Sequence, residues 1–289
     1  MNMTTIAVTG ATGELGKIAV ELLLKSHPEI TVVAGARDPA KAAPLAALGA
    51  VVRELDYDRP ETLGPALAGV DKLLLISGNA VGQRVPQHRA VIEAAKGAGI
   101  KLLAYTSVLR AGETALAIAT EHKATEEVLA QAGVPHVLLR NGWYCENYLF
   151  RLQAALEHGA LAHCAGDGRI SAAARRDYAQ GAVAVLTSHE DQAGKIYELA
   201  GSNSFTMADL AAEFSRQSGK TIAAINLSQE AFIKGLVDAG LPDFIAALIA
   251  KSDHGASEGG LFDDSRTLER LIGRPTTPMA SVIAEMLKD

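Results

Sequence analysis

Thr9-Gly10-Ala11-Thr12-Gly13-Glu14-Leu15-Gly16 is the stretch on which the fold turns. Before it, Ile6-Ala7-Val8 reads as a short buried strand. After it, Lys17 to Lys25 reads as a helix whose Ile18, Val20, Leu22 and Leu23 can face a sheet. A glycine-rich turn from strand into helix lets backbone approach an anion closely, and the unpaired amides and positive dipole end of the helix hold it. The spacing GxxGxxG is a variant of the GxGxxG fingerprint, whose last glycine, here Gly16, permits close helix–strand packing. Three glycines alone would also suit any tight turn. Set between a strand and a helix, they point to the pyrophosphate of a dinucleotide.

The 289 residues suffice for one large domain or two lobes with a sizeable core. At 48% hydrophobic and 21% charged the chain is globular in composition. A formal net charge of -6 disfavours a nucleic-acid partner, which asks for a basic stripe. The densest apolar run, Leu73-Leu74-Leu75-Ile76, is strand-sized and far short of a membrane span. The first strand begins too early to leave room for a signal peptide. Cys145 and Cys164 are too few for a disulfide framework, and the eight histidines lack metal-ligand spacing. These features lead us to expect a cytoplasmic protein without a metal or a membrane anchor.

Outward from the glycine turn, strand-like and helix-like runs alternate. Thr31 to Ala34 precedes a helix from Pro39 to about Leu48; Val51 to Glu54 precedes one near Pro60 to Ala68; Lys72 to Ile76 precedes one from Pro86 to Lys96. Lys101 to Thr106 leads to a helix over 121–131, and His136 to Arg140 closes the series. Such alternation predicts an α/β fold, a Rossmann-type doubly wound parallel sheet with helices on both faces. We expect this domain over residues 1–142. Residues 143–289 form a smaller, mostly helical lobe at the substrate cleft, with segments returning to the first domain. In it Lys195 to Leu199 and Thr221 to Ile225 read as isolated strands, and residues 255–260 as a mobile connection.

The end of the second strand bears on the choice of nicotinamide cofactor. An NADH site places an acid there to accept from the ribose 2′-OH. Here the chain reads Gly35-Ala36-Arg37-Asp38-Pro39. Arg37 can fork onto a 2′-phosphate and Lys41 can add charge, which favours NADPH; the alternative is a solvated arginine before a helix. Asp38, directly before Pro39, suits a helix N-cap. Asp56 and Tyr57 follow the third strand, where adenine would lie, or simply cap a turn before Pro60. Ser77, Gly78 and Asn79 follow the fourth strand, beside the expected nicotinamide ribose.

These landmarks, with Pro86-Gln87-His88-Arg89, Ala104-Tyr105-Thr106-Ser107, Leu139-Arg140-Asn141-Gly142-Trp143-Tyr144, Ala165-Gly166-Asp167-Gly168 and Gly259-Gly260-Leu261-Phe262-Asp263-Asp264, run nearly end to end. On them the chain resembles the NmrA-like atypical short-chain dehydrogenase/reductases. Within these it is similar to the bacterial NADPH-dependent quinone oxidoreductases of the second type, and more distantly to triphenylmethane reductases. The resemblance implies NADPH held by Gly10, Ala11, Thr12, Gly13, Glu14, Leu15, Gly16 and Arg37. It adds Thr106, Asn141, Gly142, Trp143 and Tyr144 to the cofactor set, and implies quinone reduction.

The chain departs from catalytically complete members of the wider superfamily, which carry Tyr-x-x-x-Lys on the helix after the fifth strand. Aligned by Glu126, Ile118 stands where the tyrosine would be and His122 where the lysine would be. Lys123 is one residue out of phase and points about 100° away. Chemistry that must move an alcohol proton is thereby disfavoured. A quinone tolerates the loss: reduction leaves a phenolate-type oxyanion, a weak base that water protonates afterwards. Proximity, orientation and one donor near the developing charge then suffice. Tyr144, Asn141 and His122 are candidate donors, with Ser107 at the position that resembles the superfamily's catalytic serine. Each also has a structural role open to it, and Cys145 reads as a small buried residue. The rival reading is a non-catalytic NmrA-like redox sensor that binds NADP(H) and signals to a protein partner.

Overall fold

The computed structural model describes residues 3–114 and 116–288. Its first unit comprises Met1–Ala111, Thr120–Asn141 and Arg175–Tyr197. The elements follow the expected alternation: β1 (Thr5–Val8), α1 (Glu14–Ser26), β2 (Thr31–Ala36), α2 (Ala43–Ala47), β3 (Val51–Glu54), α3 (Pro60–Leu67), β4 (Lys72–Leu75), α4 (Arg84–Ala98), β5 (Leu102–Val108), α5 (Ala119–Ala132) and β6 (His136–Asn141). Later in the chain come α6 (Glu146–His158), β7 (Ala160–His163), α7 (Arg175–Thr187) and β8 (Ile196–Leu199).

The strands form a seven-stranded parallel sheet of order β3-β2-β1-β4-β5-β6-β8. Strands covered on both faces should read as unbroken apolar runs, and β5 is buried at every position. On one face Leu63 and Leu67 of α3, Val91 and Ile92 of α4 and Leu129 of α5 pack with Leu73, Leu75, Leu103 and Tyr105. On the other, α7 packs against α1.

Several expectations are corrected here. Lys195 to Leu199 is no isolated piece: β8 is the last strand of the main sheet, with Leu138 N–H donating to Lys195 O at 3.0 Å. Helix α1 begins at Glu14 and buries Leu15, Ala19, Val20 and Leu23, whereas Ile18 and Leu22 are only half-buried, because the inward stripe follows i, i+4 and i+8 from Leu15. The helix expected from Pro39 starts as a 3-10 turn, Pro39–Ala42, before α2.

The second unit comprises Gly112–Ala119, Gly142–Ala174 and Glu198–Asp289. Besides α6 and β7 it holds α8 (Met207–Ser218), β9 (Ala223–Asn226), α9 (Gln229–Asp238), α10 (Asp243–Ser257), α11 (Thr267–Ile272) and α12 (Met279–Met286). Strands β7 and β9 form a two-stranded parallel sheet. Residues 255–260 are not a loose connection. Gly255 and Ala256 lie in the last turn of α10 and are buried, and Gly260 N–H donates to Gly255 O at 2.8 Å. A β-carbon on Gly255 would come within 2.8 Å of Leu116, so the glycines there serve packing. Within the same unit Arg151 pairs with Asp253 through both guanidinium nitrogens, at 3.1 and 2.8 Å, both side chains buried. Among the described residues no helix is long and apolar enough to cross a membrane.

Candidate functional site

The carboxyl ends of β1, β2, β3 and β4 open on a cleft of about 320 Å³. Gly10, Thr12 and Gly13 reach it from the first turn, Arg37 from the end of β2, and Leu55, Asp56, Tyr57 and Asp58 from the end of β3. Ile76, Ser77, Gly78, Asn79 and Ala80 come from the end of β4, and Gln87 from α4. The strand order reverses between β1 and β4, and open α/β sheets bind ligands in the crevice at that reversal.

The first turn has the build of an anion cradle. Gly10 takes φ +55°, and Ala11 N–H donates to Gly35 O at 3.0 Å, tying the turn to β2. Gly13 is the N-cap of α1 and brings no side chain to the first-turn amides, which leaves that position to an anion. A β-carbon on Gly16 would fall 2.2 Å from Gly10 O; one on Gly13 would fall 3.2 Å from the same atom. The turn is therefore closed by glycine at its last position and merely tight at the middle one. Ala11, Leu15 and Gly16 are buried beneath it and Glu14 is exposed; the cleft lining takes Gly10, Thr12 and Gly13.

Arg37 is exposed and lines the cleft. Its neighbour Asp38 is committed elsewhere, accepting from Ala40 N at 3.0 Å as the cap of the 3-10 turn. Lys41 sits exposed in that turn and is not part of the lining. Asp56 closes a turn by accepting from Asp58 N at 3.1 Å. The Tyr57 hydroxyl lies 2.5 Å from Thr9 Oγ1 and 2.8 Å from Ile76 O, and burial pushes its pKa up. Its ring stands edge-on to His88, at 6.0 Å between centroids and 88° between planes. This anchoring turns the Tyr57 hydroxyl into the protein.

The wall made by Ser77, Gly78 and Asn79 is held from behind. Ser77 N–H donates to Thr106 Oγ1 at 2.9 Å, Gly78 N–H to His88 Nε2 at 3.0 Å, and Arg84 Nε to Gly78 O at 2.5 Å. Thr106 is buried, so it supports the wall from behind and is not itself part of the lining. Thr9, Asp58, Arg84, Gln87 and His88 were not among the expected site residues. The available signal was Gln87 and His88, two polar residues in a motif otherwise without a task, on the buried side of α4.

The candidate donors occupy different settings. Ser107 donates to Glu126 Oε1 at 2.5 Å, and Glu126 also receives Arg140 Nε at 2.9 Å and Nη2 at 2.6 Å. His122 is buried on α5 with Nδ1 2.8 Å from the Tyr105 hydroxyl. Burial, with Arg84 and His88 adding to it, depresses the His122 pKa to about 3, so the ring is neutral near pH 7. Lys123 is exposed, and Ile118 lies in the turn before α5 rather than on the helix. Asn141 is buried, with no partner for Oδ1 among the described residues. In the second unit Tyr144 and Trp143 are half-buried and Tyr144 bridges Ala173, while Gly142 N–H donates to Leu199 O at 2.7 Å. Cys145 is fully buried. Among the described residues no cluster of His, Cys, Asp or Glu could hold a metal.

A doubly wound sheet with a glycine turn at its switch point and an arginine beyond β2 defines a nicotinamide-dinucleotide binding protein. The chain belongs to the NAD(P)H-binding family, whose model matches residues 10–189. It is 53% identical over 281 residues to quinone oxidoreductase 2 of Escherichia coli K12, covering 97% of this chain and 98% of that protein. The crystal structure of the NADPH-dependent quinone oxidoreductase QOR2 of E. coli with NADPH superposes with a TM-score of 0.95 at 52% identity, covering 98% of this chain and 99% of that one. Triphenylmethane reductase of Citrobacter sp., complexed with NADP(H), is 36% identical with a TM-score of 0.90, covering 97% and 99% of the two chains.

Proposed function

We propose that the protein is an NADPH-dependent quinone oxidoreductase that delivers hydride directly to a quinone without a flavin. The observation that carries the reading is the pairing of a glycine turn closed at Gly16 with Arg37 on the same cleft. NADPH fits this donor set: Gly10, Thr12 and Gly13 would take the pyrophosphate on backbone, and Arg37 a 2′-phosphate by a charge-assisted fork. Asp56 and Tyr57 would border the adenine, and Ser77 to Asn79 the nicotinamide ribose. When bound, the nicotinamide supplies the hydride. Relatives named for quinone reduction over almost the whole chain support the same substrate class.

The protein's own task is to place the acceptor and to meet the charge that develops on its oxygen. A phenolate-type oxyanion is a weak base, so no dedicated acid–base pair is needed. His122 is neutral and tied to Tyr105, and the Ser107 hydrogen is given to Glu126. Asn141, whose amide oxygen has no partner among the described residues, and Tyr144, three residues further along the chain, are the quinone-side residues this reading assigns. Residues 1–142 carry nucleotide binding and 143–289 the substrate lobe in this reading, with the cytoplasm as the compartment. Steady-state oxidation of NADPH by small benzo- and naphthoquinones tests it. Turnover with NADPH and a much weaker response to NADH is expected; inertness toward every quinone would overturn it.

A further inference from the structure

The motif Pro86-Gln87-His88-Arg89 has no task in the reaction as described, yet it places a fully buried imidazole directly behind the cleft wall. The hydrogen bonds around His88 leave only one protonation pattern. Gly78 N–H donates to His88 Nε2 at 3.0 Å, so Nε2 is the acceptor. On the other side His88 Nδ1 lies 3.0 Å from Thr125 Oγ1, whose own hydrogen goes to Glu121 O at 2.9 Å. Thr125 must therefore accept, and Nδ1 must carry the proton. A protonated ring would set an N–H against the Gly78 N–H.

Gly78 is gripped at both ends of its peptide groups. Its carbonyl accepts from Arg84 Nε at 2.5 Å, and Arg84 is steadied by Glu121, whose Oε2 lies 3.8 Å from Arg84 Nη1. Glu121 Oε1 also receives Gly82 N–H at 2.8 Å, holding the far end of the same loop. A β-carbon at Gly78 would come within 3.2 Å of Gln87 Oε1, so the glycine lets backbone sit close to α4.

We propose that His88 is a positioning residue whose neutral Nδ1–H tautomer anchors the Gly78 amide and thereby fixes Ser77-Gly78-Asn79 as the wall against which NADPH binds. The inference rests on the assignment of this cleft to NADPH. Without the Nε2 acceptor the half-buried Gly78 N–H loses its partner in the protein, and a hydrogen bond left unmade there is costly enough to let the wall move.

The test has two layers. On the free protein, long-range proton–nitrogen correlation at neutral pH should show His88 protonated at Nδ1 and bare at Nε2, and hydrogen exchange should show a protected Gly78 amide. The opposite tautomer, or a rapidly exchanging amide, overturns the proposal even if no variant folds. With variants, His88→Leu should speed Gly78 exchange and raise the Kd and KM for NADPH by about tenfold or more. His88→Gln, whose amide oxygen can accept where Nε2 does, should restore both, and the KM for quinone should stay put in each. Arg37→Ala is the control. If it weakens NADPH while His88→Leu does not, the positioning role fails alone; if it leaves NADPH binding unchanged, the cleft assignment fails and this inference with it.

Discussion

Ser107 Oγ lies 2.5 Å from Glu126 Oε1, and the same carboxylate grips Arg140 through both of its oxygens. The serine that resembles a superfamily catalytic residue is here one arm of a Ser–Glu–Arg cluster, with Ser107 and Glu126 buried and Arg140 half-buried, joining β5, α5 and β6. Ser107→Ala should slow turnover by less than about threefold, against the roughly hundredfold cost of removing a true oxyanion donor. The loss should fall on stability, about 1.5–3 kcal/mol for a hydrogen bond to a charged, buried partner. Urea unfolding beside steady-state kinetics separates the two. A hundredfold fall in kcat with unchanged stability would return Ser107 to the chemistry.

Cofactor choice depends on Arg37. Its neighbour Asp38 is occupied as a cap, so no acid is left there to favour a ribose hydroxyl. NADPH should bind more tightly than NADH, and Arg37→Ala should erase most of the difference, roughly 2–3 kcal/mol for a charge-assisted pair of hydrogen bonds. Calorimetric titration of both cofactors measures it. Equal affinities in the parent protein contradict the assignment.

The two later glycines of the turn should fail in different ways. Alanine at Gly16 places its β-carbon 2.2 Å from Gly10 O, so the turn itself must open. Gly16→Ala should abolish NADPH protection against heating and cost roughly 1–3 kcal/mol of stability by overpacking. Gly13→Ala meets the same oxygen at 3.2 Å, a smaller intrusion, and should weaken NADPH binding with little change in the free protein's stability. Gly13→Val, bulkier on the cleft side, should abolish binding while the far-ultraviolet circular dichroism stays native. Thermal shift with and without NADPH distinguishes these outcomes.

The parts of this fold that are local in sequence are legible in it. Val32 to Ala34 and Leu73 to Leu75 are buried on both faces and read as continuous apolar runs, and Asp38-Pro39 announces its own cap. β8 is legible as a strand, but its place in the main sheet is not. It is a half-exposed edge strand, Ile-Tyr-Glu-Leu, and joins β6 only after α6, β7 and α7 have intervened. The wall at Ser77 to Asn79 is visible as a loop after a strand, but its anchors depend on the phase of α4, which turns His88 and Gln87 inward. That α4 stripe is weakly patterned, because the residues it buries there are polar ones with partners. The Ser107 and His122 hydroxyl and imidazole partners, Glu126 and Tyr105, likewise come from tertiary packing of α5 on β5.

Lys123→Ala should leave turnover close to that of the parent, because Lys123 is exposed on α5 while the adjacent His122 points into the core. Single-turnover measurement with stereospecifically deuterated NADPH and a small quinone reads the transfer step itself. A large fall with NADPH affinity intact would mean that this lysine reaches the reacting atoms.

Stability between pH 7 and 5 should be governed by two buried histidines. Burial, reinforced by the Arg84 charge, lowers the His88 pKa from 6.5 to about 4. Burial, with Arg84 and His88 behind it, lowers that of His122 to about 3. Around the pair stand Arg84 with its partner Glu121, Glu126 near Tyr105, and the phenols Tyr57 and Tyr105, which burial holds neutral well above pH 7. Both histidines are therefore neutral in the folded chain through the range in which the unfolded chain takes up their protons. The unfolded state binds more protons there, so stability is full above about pH 6.5 and falls as pH drops from there toward 4. Each histidine contributes a slope of up to about 1.4 kcal/mol per pH unit. His163, also depressed by burial, adds to the same trend. Asp71, Asp209 and Glu213, whose pKa values lie below their ordinary ones chiefly through hydrogen bonds, lose their contribution only at lower pH. Urea denaturation from pH 7 to 5 should thus show stability falling steadily, and His88→Gln should remove about one proton's worth of the slope. A flat profile over that range would mean that these rings take up protons inside the fold, which the hydrogen bond from Gly78 to His88 Nε2 does not permit.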